Sequence, residues 1–324
     1  MSEKLHTNNL FKKILIEPVS DASELYIVSG YASSAMVFHH ATKLKELDLK
    51  IKINLLIGMT SEDGLSYTNH KGFQKLMNDD FSSFFTCSYL TDCPPVHSKV
   101  YTWINGTKPV KAFSGSPNYS QKAFVGNHQR EVANECDPSM AYEYYNSLID
   151  ESIYCNHLEA EELINLYKAQ KPDKSKSSLM EETGFSYDSA LGLEKVTISF
   201  INKYGVISKR SALNWGKRKG REPNQGYIPL RSNVYKTNFF PPRSQHFTVH
   251  TDDGKILICS RAQENGKAIH TPHNNSLIGE YFRYRLGVPN GELVTMDHFL
   301  KYGRTDLEFY KIDEENYHMD FSVK

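Results

Sequence analysis

Apolar and polar positions follow two different regimes along the chain. Residues 24–31 (E-L-Y-I-V-S-G-Y) form a mostly apolar run broken by Gly30, the pattern of a buried strand. Residues 51–57 repeat that pattern and stop at Gly58. Helical spacing follows over 35–47, with Ser33 and Ser34 as candidate caps, and again over 64–77. Residues 81–90 read as a strand, and 140–167 carry apolar positions at helical spacing, one or two helices. Strands alternating with helices predict α/β layers around a largely parallel or mixed sheet.

Beyond residue 190 the regime changes. Short β-type runs at 196–200, 226–229, 247–251, 256–260, 307–312 and 317–321 are separated by Asp253-Gly254, Asn265-Gly266 and Asn290-Gly291. They predict a small barrel or sandwich with helices at 278–286 and 296–301. Between the regimes, 168–189 is rich in Lys, Ser and acid and poor in large aliphatics, so it reads as a linker. The expected organisation is one domain over 1–167, a linker over 168–189 and a second domain over 190–324.

Composition narrows the class. With 39% hydrophobic and 23% charged residues among 324, the chain has the make-up of a soluble globular protein. No apolar run nears the length of a membrane span, and residues 1–6 lack a secretory core. Cys87, Cys93, Cys136, Cys155 and Cys259 form no C-x-x-C pair, which suits reduced thiols in a cytoplasm. The net charge is zero, but its distribution is uneven: residues 187–324 hold 20 basic against 15 acidic side chains. Within 203–243 there are ten basic residues and one acid, Glu222, a patch that attracts phosphates.

The chemistry concentrates in 95–131. Val96, Ser98, Val100, Thr102 and Ile104 alternate as a strand, which puts His97 and Lys99 on one face. Asn105-Gly106 supplies a hairpin turn, and 110–113 returns toward Ser114-Gly115-Ser116-Pro117-Asn118. An imidazole, an ammonium, a hydroxyl and a carboxamide thus gather at one end of a hairpin, a set suited to a phosphoryl group. On this reading His97 is the nucleophile, Lys99, Ser116 and Asn118 hold the non-bridging oxygens, and Glu131 orients the imidazole. The bland alternative is a surface hairpin with a chance His and Lys. H-x-K alone favours that alternative; the downstream G-S-x-N and acid shift the balance.

H-S-K, then G-S-P-N-Y-S, then a carboxylate resembles the phospholipase D superfamily motif. The resemblance makes His97 the nucleophile, Lys99 and Asn118 the phosphate ligands and Glu131 the partner of the His. The superfamily's Asp, five residues past the Lys, is replaced by Ile104. That departure points from lipid hydrolases to the nuclease branch, where BfiI-like restriction enzymes lack it.

A second polar segment, 209–227, interleaves Lys209, Arg210, Lys217, Arg218, Lys219 and Arg221 with Asn214, Trp215, Asn224 and Gln225. These side chains bond phosphates and base edges, and Gly216 and Gly220 would let the backbone approach a duplex. The alternative is a solvated basic loop. A weaker candidate, 266–287, offers Asn274, Asn275, Arg283 and Arg285. His246 and His250 lie in a strand-like run, where four residues span roughly 13 Å, too far for a shared metal. No metal or cofactor is expected.

The strings R-S-A-L-N-W-G-K-R-K-G-R-E-P-N-Q-G-Y-I-P, H-T-P-H-N-N-S-L-I-G-E-Y-F-R-Y-R-L-G and Y-G-R-T-D-L-E-F-Y-K-I resemble the NgoFVII-type restriction endonucleases. That likeness implies an α/β phospholipase D-like nuclease domain, a mixed sheet flanked by helices, joined to a mainly β B3-like pseudobarrel that grips double-stranded DNA with two arms. The first arm would be 209–227, the second 266–285. Two histidines are needed for attack and protonation, yet the chain has one H-x-K, so a metal-independent homodimer with a shared active centre is expected. The alternatives are a nuclease subunit served by a separate ATP-dependent translocase, a phosphodiesterase on non-DNA substrates, and a DNA-binding module with a vestigial nuclease fold. No Walker motif occurs, so any ATP dependence would come from another protein. A cognate DNA methyltransferase is the other expected partner.

Overall fold

A computed structural model describes residues 4–91, 94–126, 129–167, 192–202 and 204–323. The chain divides into two compact units, Met1–Lys168 and Ala169–Lys324. The expected linker, 168–189, lies outside the described residues.

In the first unit the strands are β1 (Leu5–His6), β2 (Glu24–Ser29), β3 (Lys52–Ile57), β4 (Leu65–Ser66), β5 (Phe85–Leu90), β6 (Lys99–Asn105), β7 (Lys108–Gly115), β8 (Ala133–Cys136), β9 (Ser152–Tyr154) and β10 (Leu166–Tyr167). The helices are α1 (Leu10–Leu15), α2 (Ser34–Glu46), α3 (Tyr67–Lys75), α4 (Gln121–Phe124), α5 (Pro138–Ile149) and α6 (Ala160–Leu163). Eight strands form one mixed sheet in the order β1-β8-β7-β6-β2-β3-β5-β9, and β4 pairs with β10 apart from it. The apolar runs β2 and β3 are central and parallel, covered on both faces, which is why they read as unbroken hydrophobic stretches. Ser33 caps α2, its hydroxyl accepting the Met36 amide at 3.2 Å.

The β6–β7 hairpin turns at Gly106, whose φ of +60° suits glycine. Strand β6 joins the sheet antiparallel to β2, pairing Lys99 with Ser29. Two expectations shift. The strand predicted at 81–90 starts at Phe85, and α3 runs on into a wider, π-type turn over Leu76–Asp80. The helical pattern over 140–167 is interrupted because Ser152–Tyr154 leaves it to pair with the edge of β5. Backbone groups along a sheet edge outweigh side-chain periodicity there.

The second unit comprises β11 (Lys195–Ser199), β12 (Ile228–Pro229), β13 (His246–Thr251), β14 (Ile256–Ala262), β15 (Ala268–His270), β16 (Asp306–Lys311) and β17 (Asn316–Asp320), with helices α7 (Ser232–Tyr235), α8 (Leu277–Leu286) and α9 (Met296–Tyr302). The strands form one sheet, β11-β16-β17-β13-β14-β15-β12, wrapped as a pseudobarrel. Phe247, Phe282, Phe299, Phe309, Tyr317 and Phe321 are fully buried in its core. Each contributes about 1.5–3 kcal/mol of transfer free energy. His246 and His250 lie on β13, so their spacing is that of a strand.

Candidate active site and nucleic-acid interface

The first site forms where β2 and β3 end. Both stop at glycines, and the extended segment leading into β6 lies against them. A Cβ at Gly30 would stand 3.1 Å from His97 Cδ2, and one at Gly58 only 2.1 Å from the Val96 carbonyl oxygen. Val96 donates its amide to the Gly58 carbonyl at 3.0 Å. The two glycines therefore admit the backbone that carries His97. The open ends of parallel strands are the usual place for ligand sites in α/β sheets.

His97 is exposed and Lys99 is buried, 7% accessible. The Lys99 ammonium lies 3.0 Å from Nδ1 and 3.1 Å from Nε2 of His97 and donates to the His97 carbonyl at 2.5 Å. Burial pushes the Lys99 pKa down, and the Glu131 carboxylate partly offsets this. Tyr31 sets its ring edge-to-face against the imidazole, with centroids 5.6 Å apart at 78°. The Tyr31 hydroxyl donates to Asp63, which pushes its pKa up to about 12.

Asn118 sits on the loop after β7 and is fixed from the other side. Its Oδ1 accepts the Tyr31 amide at 3.2 Å, which leaves the side-chain NH2 as a donor. Below it, the Tyr119 amide donates to Ser29 Oγ at 3.0 Å, and the Ser29 hydroxyl donates to the Tyr31 carbonyl at 2.6 Å. Tyr119 is itself buried, its hydroxyl donating to Nδ1 of His40, while His40 Nε2–H donates to the Leu15 carbonyl, each at 2.8 Å. Burial holds His40 neutral, with its pKa lowered to about 4.

The structure places the Lys99 ammonium against His97, and Tyr31 links the pair to Asn118, its ring lying on the imidazole and its amide on Asn118 Oδ1. Ser116 and Glu131 are adjacent but are used differently. The Ser116 hydroxyl donates to Glu131 Oε2 and accepts the Val132 amide at 3.1 Å. Glu131 Oε1 is bonded by Gln129. No hydrogen bond among the described residues joins Glu131 to the expected partner, His97; its carboxylate is taken up by Ser116 and Gln129. With its proton directed at Glu131, the Ser116 hydroxyl is also not a free donor. Ile104, in place of the superfamily's acid, is buried within β6. Sequence reasoning missed Ser29, Tyr31, Asp63 and the glycine pair. The one signal for them was an apolar strand ending in Ser-Gly-Tyr.

The second candidate lies on the other unit. Lys209, Arg210, Arg218, Lys219 and Arg221 are exposed. The Arg221 guanidinium stacks on Trp215, 3.6 Å from the ring centroid, and Nη1 donates to Gln225 Oε1 at 3.2 Å. Lys217 is tied to the Gly291 carbonyl, and Arg218 Nε donates to the Arg210 carbonyl at 2.7 Å. Asn274 and Asn275 brace their own loop, accepting the Ser276 amide at 2.9 Å and bonding His270 at 2.8 Å.

Four expected interface residues instead hold the fold. Asn214 is 1% exposed and exchanges two hydrogen bonds with the Val294 backbone, at 2.7 and 2.9 Å. Asn224 is buried and accepts the Gly291 amide at 2.6 Å. Arg283 is fully buried, with its guanidinium bonded to the carbonyls of Leu213, Gly279 and Glu292. Arg285 is locked to Asp252 at 2.7 and 2.8 Å and to Tyr302 at 2.6 Å. Side chains without surface or without spare donors cannot reach a duplex. Gly216 is likewise used internally: a Cβ there would meet the Glu222 and Pro223 carbonyls at 2.4 Å. Gly220, with φ of +80°, faces open space.

Family comparison agrees over most of the chain. Residues 8–162 match the NgoFVII restriction endonuclease N-terminal PLD domain, and 189–313 match the NgoFVII C-terminal B3-like DNA-binding domain. No curated protein matches the sequence. Among solved structures, NucT from Helicobacter pylori aligns with 16% identity over 47% of this chain and 98% of its own, TM-score 0.33. Nuc, a phospholipase D family member from Salmonella typhimurium, aligns with 16% identity over 47% of this chain and 97% of its own, TM-score 0.33. Polyphosphate kinase from Porphyromonas gingivalis aligns with 16% identity over 54% of this chain and 26% of its own, TM-score 0.32.

Proposed function

Because the chain belongs to the NgoFVII restriction endonuclease family, a DNA nuclease with a B3-like DNA-binding domain, we propose that it cuts DNA at a specific site through a phosphohistidine intermediate. The observation that carries this reading is the contact of Lys99 with His97 at the open end of the sheet, with Tyr31 linking the imidazole to Asn118, whose side-chain NH2 is left as a donor. The imidazole attacks phosphorus, the N–P bond forms, and the bond to the leaving oxygen breaks. Lys99 and Asn118 donate to the non-bridging oxygens as charge builds. Ser116 and Glu131 brace the loop, and the carboxylate keeps a negative charge near Lys99.

The leaving oxygen needs a proton, and each chain carries one H-x-K. In a two-fold dimer, His97 of the partner subunit supplies that proton, then takes one from water as the water displaces the imidazole. The buried Lys99 cation stands where a metal would otherwise neutralise charge, and the reading is metal-independent. The exposed cations Lys209, Arg210, Arg218, Lys219 and Arg221 hold the duplex, acting in the cytoplasm beside a methyltransferase that protects the same site. An ATP-driven translocase, if one is required, is a separate chain.

The test is to quench cleavage of an end-labelled DNA with denaturant during turnover, in EDTA, and map covalent adducts. An acid-labile DNA adduct on His97 is expected. Cleavage that proceeds only with added magnesium would sink the mechanism.

A further inference from the structure

The basic segment of the second unit carries two kinds of cation. Lys209, Arg210 and Lys219 are exposed, and among the described residues their side chains make no hydrogen bond or ion pair. Such groups suit phosphates, whose contacts carry no sequence information. Arg221 is different because its plane is already set. It lies at stacking distance on Trp215 and is tethered by Gln225. Trp215 is itself held by Tyr227, edge-to-face at 5.8 Å and 76°. Tight packing of Gly216 against residues 222–223 fixes the backbone between platform and arginine.

The nearest acid does not neutralise this group. Glu222 accepts the Asn224 amide at 2.9 Å and the Ser276 hydroxyl, facing α8. Arg221 is exposed, and the part of its fork not bonded to Gln225 faces solvent. Gln225, with its carbonyl occupied, has its NH2 left as a further donor. The result is a rigid array of donors with no acceptor. On the major-groove edge, guanine alone offers two acceptors, O6 and N7. Adenine and cytosine each present an amino donor, and thymine offers one acceptor beside a methyl group. Stacking on an aromatic ring removes much of the rotamer entropy that an arginine otherwise loses on binding.

We infer that Arg221, held on Trp215 and tethered by Gln225, is a specificity-determining residue that reads a guanine in the recognised DNA site. This rests on the reading of the chain as a site-specific endonuclease. It goes further by assigning one base to one side chain.

The experiment is selection of bound duplexes from a random-sequence library by the full-length protein, with three arms in parallel: wild type at 215 and 221, Arg221→Lys, and Trp215→Leu, all carrying His97→Ala so that bound DNA stays uncut. Lysine keeps the charge and removes the planar fork. Wild type should enrich a sequence containing at least one G·C pair. Arg221→Lys should lose preference at one G·C pair by about tenfold to a hundredfold while the other positions stay selected. Trp215→Leu should relax the same pair. An unchanged consensus with Arg221→Lys overturns the inference. So does a uniform weakening of all sequences, which would make Arg221 a phosphate anchor. If wild type enriches no sequence, site specificity itself fails, and the wild-type arm alone reveals it. Arg221 is exposed, so its variant reports even if Trp215→Leu does not fold.

Discussion

Lys99 donates to the main-chain carbonyl of His97 while its ammonium stands 3.0 Å from the imidazole Nδ1. One side chain thus touches both the backbone and the ring of its neighbour two residues away. The contact brings a buried cation against an exposed imidazole.

Burying that cation is costly, and its pKa is lowered accordingly. A lysine whose pKa is lower folded than unfolded weighs fully against stability below the folded value. The burden is relieved as pH rises from there toward the ordinary 10.5. Lys99→Met should therefore raise the thermal midpoint at neutral pH, by about 1 kcal/mol of stability, while cleavage is lost. Wild-type cleavage should fall on the alkaline side before pH 10.5. Thermal melts and a pH–rate profile check both; a destabilised Lys99→Met would show that the ammonium holds the fold.

His97→Ala should remove cleavage and leave DNA affinity within about twofold, since the ring is exposed and the DNA-binding unit is separate. Gel-shift titration beside a plasmid assay decides it. A large drop in affinity would place His97 in binding rather than chemistry.

Subunit mixing tests the shared centre. Co-refolding equal amounts of wild type and His97→Ala gives about one quarter wild-type dimers by random pairing. If a mixed dimer cannot cut, activity should be about half that of the same proteins refolded apart. Undiminished activity would mean that each chain works alone.

Changing Lys209, Arg210 and Lys219 together to Gln should weaken binding to every duplex. The slope of log affinity against log salt should shrink by roughly two to three. Lys217 is left out because its ammonium is held by the Gly291 carbonyl. An unaltered slope would take this segment off the DNA.

The hairpin was readable because its signals are local. Alternation puts His97 and Lys99 on one face, Asn105-Gly106 marks the turn, and the small polar loop follows directly. Tyr31 and Ser29 were not readable as site residues. Their bonds to Asn118 and Tyr119 span 87 and 90 residues, and nothing beside them in sequence announces a partner. Arg283 and Arg285 show the opposite error. As letters they are two exposed cations on a helix; only packing reveals that one is enclosed by carbonyls and the other clamped by Asp252. Likewise, periodicity over 140–167 cannot register that β5 offers an unpaired edge to residues 152–154.

The glycine at the end of β3 has a practical consequence. A methyl group at position 58 would collide with the Val96 carbonyl, one residue before His97. Gly58→Ala should thus act as an off-switch built into the main chain, disarming the nuclease with His97, Lys99, Asn118 and Glu131 all still in the sequence. For anyone wishing to turn the chain into a DNA-addressing tag, it silences the scissors without altering a reacting group. Retained cleavage by a folded Gly58→Ala protein would show that the 96–98 segment can give way at no cost.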